Sequence, residues 1–173
     1  MKPAICFTVV ICGVAQPAGS KQAFVPTDKK TGNPYRGPGG RIIVNVVDDN
    51  PKSKGWKKLV ADEARKAWGA RKLLDGPLFV RAVFYQERPG AHFGTGRNAE
   101  LIKQSAPAFP MTRPDVLKMM RGVEDALTSV VYIDDSRIVD EVLSKRYGSP
   151  ARVEISIGTL PVTVREFQQE SIL

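Results

Sequence analysis

The sequence contains only one histidine and two cysteines among its 173 residues. Both cysteines, Cys6 and Cys12, fall in one strand-like run, where a straight strand holds them on one face, about 20 Å apart. That separation is too large for a disulfide within the strand, and so few cysteine and histidine partners argue against a zinc site. We therefore expect reduced, partly buried cysteines, as in a cytoplasmic protein.

The sequence also lacks a long hydrophobic run. No segment reaches the ~18 apolar residues that a membrane-spanning helix needs. The stretch AICFTVVICGVA, which follows Met1 and Lys2 and ends at Ala15, has the outline of a signal peptide. It contains no leucine and is rich in β-branched residues, which favours a buried strand over residues 4–14. We expect a protein that is neither secreted nor bound to a membrane.

The sequence has fewer acidic residues than basic ones. Lysine and arginine number 26 against 18 aspartates and glutamates, which gives a net charge of +8. A balance of this kind favours a polyanionic partner, and nucleic acid above all. The alternative, a small basic interaction protein with no nucleic-acid role, stays open at this point. The length and the 42% apolar content fit a single globular domain.

The spacing of apolar residues predicts strands and helices around two long loops. The predicted strands cover residues 4–14, 42–47, 78–86, 137–147 and 151–157. One helix is predicted over residues 54–74 with Ser53 as its cap, and a second helix is predicted to follow Thr112, which would be its cap. The loops, 16–40 and 87–112, are rich in glycine and basic residues, and a helical turn is expected at 98–104. This order predicts one α+β (α/β) domain, a mixed sheet packed by helices.

The stretch from Thr112 to Tyr147 carries the residues that suggest chemistry. It places Asp115 at the start of the second helix, and Asp134 and Asp135 just before the next strand, with basic residues around both. Carboxylates brought together in a basic protein indicate a divalent metal held against a phosphate backbone. Taken alone, an Asp-Asp-Ser turn before a strand is also an ordinary turn composition.

One position breaks the helical pattern of this second helix. Leu117 falls in the polar sector, one turn before Arg121. The sector expected to pack on the sheet comprises Val116, Met119, Met120, Val123, Ala126 and Leu127. In the preceding helix, Trp56 and Trp68 recur at helical spacing, and we expect them in the core.

These motifs resemble the RusA family of endodeoxyribonucleases, the Holliday-junction resolvases common in phages and prophages. The strongest agreement covers residues 113–115, 124–128, 132–136 and 145–148. Weaker agreement extends over about residues 5–158 and includes Gly19-Ser20-Lys21, Arg88-Pro89 and His92. The resemblance implies one nuclease domain over residues 1–173, with a core at about 4–158 and a C-terminal tail at 159–173.

The resemblance also implies an activity and its residues. Asp115, Asp135 and Arg121 would be catalytic, and Asp115 and Asp135, assisted by Asp134, would bind Mg²⁺ or Mn²⁺. A homodimer would bind four-way DNA junctions and resolve them by symmetric phosphodiester hydrolysis in recombination and repair, in the cytoplasm of a bacterial host. The residues expected to hold DNA are Lys21, Arg88, His92, Arg97, Lys118, Lys145 and Arg146.

The chain departs from the family pattern at one catalytic position. The family has two aspartates separated by one residue, and here Asp115 matches the first while Leu117 takes the place of the second. Two hypotheses follow. Mg²⁺ keeps several waters and needs few protein carboxylates, so the site can function without the second aspartate. Otherwise the protein is a weakened relative that binds branched DNA without cutting it. We expect activity.

Overall fold

The computed structural model describes residues 3–48 and 50–163. In this part of the chain a four-stranded mixed sheet packs against two α-helices, and a separate two-stranded hairpin projects from it. The α+β fold with a mixed sheet that the sequence predicts is therefore confirmed. The elements are β1 Ala4–Cys12, β2 Lys21–Phe24, β3 Asn45–Asp48, α1 Pro51–Trp68, β4 Leu78–Gln86, α2 Val116–Leu127, β5 Ile138–Tyr147 and β6 Arg152–Thr159.

The strand order of the main sheet is β1-β6-β4-β5. Strand β6 is antiparallel to both β1 and β4, whereas β4 and β5 are parallel. The carboxyl ends of β1, β4 and β5 therefore meet at one edge of the sheet. Strand β4 lies between two partners, as its apolar sequence predicts.

The core lies between the helices and one face of this sheet. Alternate residues of β4, from Leu78 to Phe84, are fully buried on that face, while Arg81 points to the exposed opposite face. Trp56 and Trp68 are 4% and 5% exposed, so their predicted place in the core is confirmed. The ring of Trp68 meets that of Phe7 edge to face, with centroids 5.3 Å apart.

Both cysteines lie on the face of β1 that the helices do not cover. Cys6 and Cys12 lie on the same face of β1, as expected, and both thiols are free. Both residues are exposed, so the expectation of partial burial was wrong. The reason is that β1 is an edge strand, and the helices cover only the face that carries Phe7 and Ile11.

The boundaries of α1 differ from the prediction at both ends. The helix begins at Pro51, and its cap is Asn50, whose side chain accepts a hydrogen bond from the Lys52 N–H, while Ser53 is buried in the first turn. It ends at Trp68, well before residue 74. Gly69 follows with a positive φ of 65°, and its N–H donates to the Arg65 carbonyl at 2.9 Å.

The two predicted loops contain more structure than the sequence indicates. Strand β2 lies inside the predicted loop 16–40 and pairs with β3, so residues 21–48 form a hairpin arm. The predicted turn at 98–104 is instead a short 3-10 turn at Gly96–Asn98. Most of the predicted tail, residues 164–173, lies outside the described residues. Among the helices that are described, none is both long and apolar enough to cross a membrane.

The Asn50 cap gives a test of this arrangement. Its side-chain amide also donates to the Pro17 carbonyl at 2.8 Å, so one residue joins the start of α1 to the segment after β1. We expect Asn50→Ala to lower the free energy of unfolding by about 1–2 kcal/mol in urea denaturation. Asn50→Asp keeps the cap oxygen and should lose less. Equal losses in the two variants would contradict the capping role.

Candidate active site

Helix α2 is held by its apolar sector and presents its polar sector to solvent. Met119, Met120, Val123 and Leu127 are buried, as predicted. Asp115 occupies the N-cap position of the helix, without a capping hydrogen bond from its side chain, so the predicted Thr112 cap was wrong. Leu117 is 67% exposed, so this apolar side chain stands on the surface next to the predicted catalytic residues.

A carboxylate cluster forms where α2 crosses the start of β5. We use this name for Glu124 of α2, Glu141 of β5 and Asp135 of the turn before β5. Glu141 pairs in register with Val80, a core residue of β4, so its side chain lies on the helix-covered face of the sheet. One Glu141 carboxylate oxygen, Oε1, is buried, and within the described structure it has no hydrogen-bond partner.

Burial is the main reason why the pKa of Glu124 rises from its usual value to about 7. The hydrogen bond and the charge of Glu141 raise it further, and the charges of Asp135 and Asp125 add to this. The pKa of Tyr132 is also raised, first by burial and then by the Glu124 charge. The Tyr132 hydroxyl donates to the Glu124 backbone carbonyl at 3.1 Å, which fixes this part of the helix.

The predicted metal ligands come from two segments of the chain, the start of α2 and the turn before β5. Asp135 belongs to the carboxylate cluster, but Asp115 precedes Glu124 by nine positions, about 13 Å along the helix axis. Asp134 caps its own turn by accepting from the Ser136 N–H at 2.9 Å, and hydrogen bonds from Ser136 lower its pKa. In residues 3–48 and 50–163, no three Asp, Glu, His or Cys side chains are placed to hold one metal ion.

The chemistry of the carboxylate cluster nevertheless fits a divalent cation. Its donors are hard carboxylate oxygens, the type that Mg²⁺ and Mn²⁺ prefer. The buried Oε1 atom of Glu141 is an acceptor that either a cation or the proton of Glu124 would satisfy. A bound cation would also relieve the repulsion that raises the pKa of Glu124.

The predicted DNA-binding cations fall into two groups. Lys118 is exposed on the polar sector of α2, beside the predicted catalytic residue Arg121, and Lys21, Arg97 and Arg146 are exposed on the hairpin arm, the second loop and β5. These side chains are available to phosphate.

The second group makes contacts within the protein. The Lys145 ammonium donates to the carbonyls of Thr112 and Pro114 at 2.9 and 3.1 Å, which anchors the segment leading into α2. Arg88 donates to the Pro107 carbonyl and lies 4.1 Å from the ring centroid of Tyr147. His92 is half-buried, edge-on to the same ring at 5.6 Å.

Asp125 makes a different contact from the one its spacing suggests. The sequence spacing permits a pair with Arg121 on the same helix. In the structure Asp125 binds the Lys57 ammonium at 2.5 Å, so the ion pair joins α2 to α1. Arg121 therefore does not form the pair with Asp125, and its side chain is exposed on the surface of α2.

Comparison with known proteins agrees with the motifs. The family model described as Endodeoxyribonuclease RusA matches residues 29–158, most of the chain. The chain belongs to the RusA endodeoxyribonuclease family. It is also 33% identical over 109 residues to the uncharacterized protein YqaN of Bacillus subtilis (strain 168), an alignment that covers 63% of this chain and 75% of that relative. The resemblance inferred from the sequence is confirmed.

The carboxylate cluster of Glu124 and Glu141 is not predicted by the sequence analysis. Neither residue is one of the carboxylates that the RusA motif assigns, so the motif indicates only the aspartates. A signal was available for Glu141, because it is an acidic residue on the inward-facing register of a predicted strand. Glu141 interacts with Glu124 only because α2 packs on β5, and this packing is visible in the structure alone.

The raised pKa of Glu124 predicts how stability depends on pH. A carboxyl whose folded-state pKa lies above its unfolded value binds more protons when folded, so its contribution weakens as pH rises from about 4.5 to 7. In metal-free buffer, Glu124→Gln should therefore gain stability relative to wild type between pH 5 and pH 8.5. We expect about 1–2 kcal/mol, reduced from the full shift because the group is half exposed.

Thermal unfolding at the two pH values measures this effect. Glu100→Gln provides a matched control, because Glu100 is exposed on the second loop. A pH-independent difference between Glu124→Gln and wild type would show that the pKa of Glu124 is not raised in the folded protein.

Proposed function

We propose that this protein is a metal-dependent endodeoxyribonuclease that binds four-way DNA junctions and resolves them by phosphodiester hydrolysis. The observation that carries the proposal is the carboxylate cluster, set beside exposed cations in a RusA-family chain of net charge +8. A concentration of negative charge is unfavourable in a DNA-binding protein unless a cation joins it to the phosphate.

In this proposal Asp115 and Asp135 hold Mg²⁺ together with water and the DNA phosphate, and Mn²⁺ can substitute. Glu124 and Glu141 add negative charge near Asp135. When bound, such a metal activates water and stabilises charge on the phosphate oxygens. Tyr132 holds Glu124 in place through its backbone carbonyl. Arg121 stabilises the negative charge on the phosphate or leaving group, and Lys118 holds the DNA backbone.

Asp115 and Asp134 keep the roles that the family pattern gives them, as part of the proposal. Asp115 and Lys118 line a cleft of about 210 Å³, together with Pro17, Arg113 and Pro114. A phosphate with a water-bridged cation suits a cleft bordered by one carboxylate and two cationic side chains, because Mg²⁺ commonly keeps several of its waters. Asp134 supports Asp135 by fixing the turn that presents it.

A second candidate function is binding of branched DNA without cleavage. The exposed Leu117 favours it, because it stands where the family has a catalytic aspartate.

We propose a homodimer in either case, since a four-way junction has two-fold symmetry and two related sites can act on opposing strands. The reaction would take place in the cytoplasm of a bacterial cell, and the protein would be encoded by a phage or prophage.

A cleavage assay on a labelled four-way junction tests the activity. With Mg²⁺, the wild-type protein should give paired, symmetric nicks, and EDTA should abolish them. Asp135→Asn should lower the rate by at least about a hundredfold, because it removes a charged metal ligand, while junction binding is retained. Binding should also weaken steeply with added salt.

Asp140→Asn is the matched control for this assay. Asp140 lies on the same strand, in register with Phe79 of β4, on the face of the sheet away from the helices. It should cut at the wild-type rate. Cleavage by Asp135→Asn at that same rate would overturn the role of Asp135, and junction binding without nicks by the wild-type protein would establish the second candidate.

Leu117→Asp separates the two candidates further. Restoring the family carboxylate beside Asp115 should raise the cleavage rate if the native site is weakened by its loss. We expect a change of less than about tenfold, because the carboxylate cluster already supplies oxygen donors. Leu117→Asn controls for the loss of the exposed leucine, and a strong gain with aspartate alone would show a crippled native site.

A further inference from the structure

A second cleft opens at the edge of the sheet where the carboxyl ends of β1, β4 and β5 meet. Its volume is about 340 Å³, at the lower end of the range for small-molecule sites. Crevices outside the carboxyl ends of strands are frequent binding places in open α/β sheets. Its lining includes Gln86, Thr112, Arg113, Pro114 and Tyr147.

We propose that this cleft receives a single nucleobase of the bound DNA and discriminates among bases. The inference rests on the proposed function, and it adds a specificity pocket to the hydrolytic site. A four-way junction offers bases at its branch point that are less firmly stacked than those of a duplex, so that removing one from its stack costs little.

The walls of the cleft suit a flat aromatic ring. Tyr147 borders it, in register with Gln86 of β4, and every base has a π-face that can stack on an aromatic side chain. The Tyr147 ring is held by an arginine, because the guanidinium carbon of Arg88 lies 4.1 Å from its ring centroid. This ring is therefore fixed before DNA binds, and little side-chain entropy is lost on stacking.

The position of the cleft connects it with the phosphate-binding surface. Arg113 and Pro114 line both this cleft and the smaller one that contains Asp115 and Lys118. Lys145 anchors this shared wall through the carbonyls of Thr112 and Pro114. A nucleotide whose phosphate lies beside Lys118 can therefore direct its base over Pro114 into the larger cleft.

Polar groups within the cleft supply a means of discrimination. The Gln86 amide offers both donors and an acceptor, the combination that reads the edge of a base. Gln86 is half-buried at the end of β4, in register with Tyr147, whereas Arg113 is exposed. Stacking would thus hold the base, and Gln86 would favour one base over the others.

Abasic scanning of a four-way junction tests the pocket. Each position near the branch point is replaced in turn by an abasic residue, and affinity is measured by fluorescence anisotropy in EDTA. Loss of the inserted base should weaken wild-type binding about tenfold or more at one position in each of two symmetric strands. Neighbouring positions should change less than about twofold.

Thr112→Phe is designed to obstruct the cleft from its exposed border. It should weaken binding to the unmodified junction by about the same factor, and the abasic substitution should then have no further effect. Thr8→Phe places the same side chain on the exposed face of β1 and should behave like wild type. Gln86→Leu should keep the position of the abasic effect and reduce the base preference of cleavage at that position.

The outcomes separate the pocket from the nuclease. A flat abasic profile in a wild-type protein that cuts unmodified junctions would overturn the pocket and leave the proposed function standing. A wild-type protein that binds no DNA would overturn both. An abasic effect that persists unchanged in a correctly folded Thr112→Phe variant would place the base elsewhere and overturn the assignment of this cleft, and an unchanged base preference in Gln86→Leu would overturn the role of Gln86.

Discussion

The packing of α2 on the sheet is the contact on which the rest of the site depends. Buried side chains such as Met119, Met120 and Val123 fix both the height and the rotation of this helix. Its rotation places Glu124 over Glu141 of β5, and its N-terminus brings Asp115 to the edge where the strands end. One apolar interface thus positions two polar regions about 13 Å apart along the same helix.

The net charge of the protein is positive, whereas the charge close to Glu124 is negative. Across the whole chain the positive charge of +8 favours a polyanion. Locally, burial and then the neighbouring carboxylates disfavour the charged form of Glu124, so that its pKa rises to about 7. The two features are compatible when a cation lies between protein and phosphate, which is why the carboxylate cluster supports a hydrolytic role better than a purely structural one.

The sequence predicts most of the framework because its patterns are local. Strand β4, the buried tryptophans and the inward sector of α2 all follow from periodicity, and the family follows from residues 113–148. The cap of α1 and the hairpin arm were missed because Asn50 and Ser53 are both good caps, and because β2 has little apolar periodicity. The cluster of Glu124 and Glu141 could not be read from spacing, since it joins a helix and a strand through tertiary packing.

The parallel pairing of β4 with β5 has a consequence for the order of folding. The two strands are adjacent in the sheet but separated along the chain by residues 87–137, which include the second loop and α2. Closing so large a crossover costs chain entropy before the pairing is gained, and such non-local contacts slow folding. We expect β5 to dock late. A newly made chain would therefore reach the compact state before it acquires Glu141 and Asp135 in place, so that hydrolytic capacity would appear only with the finished fold.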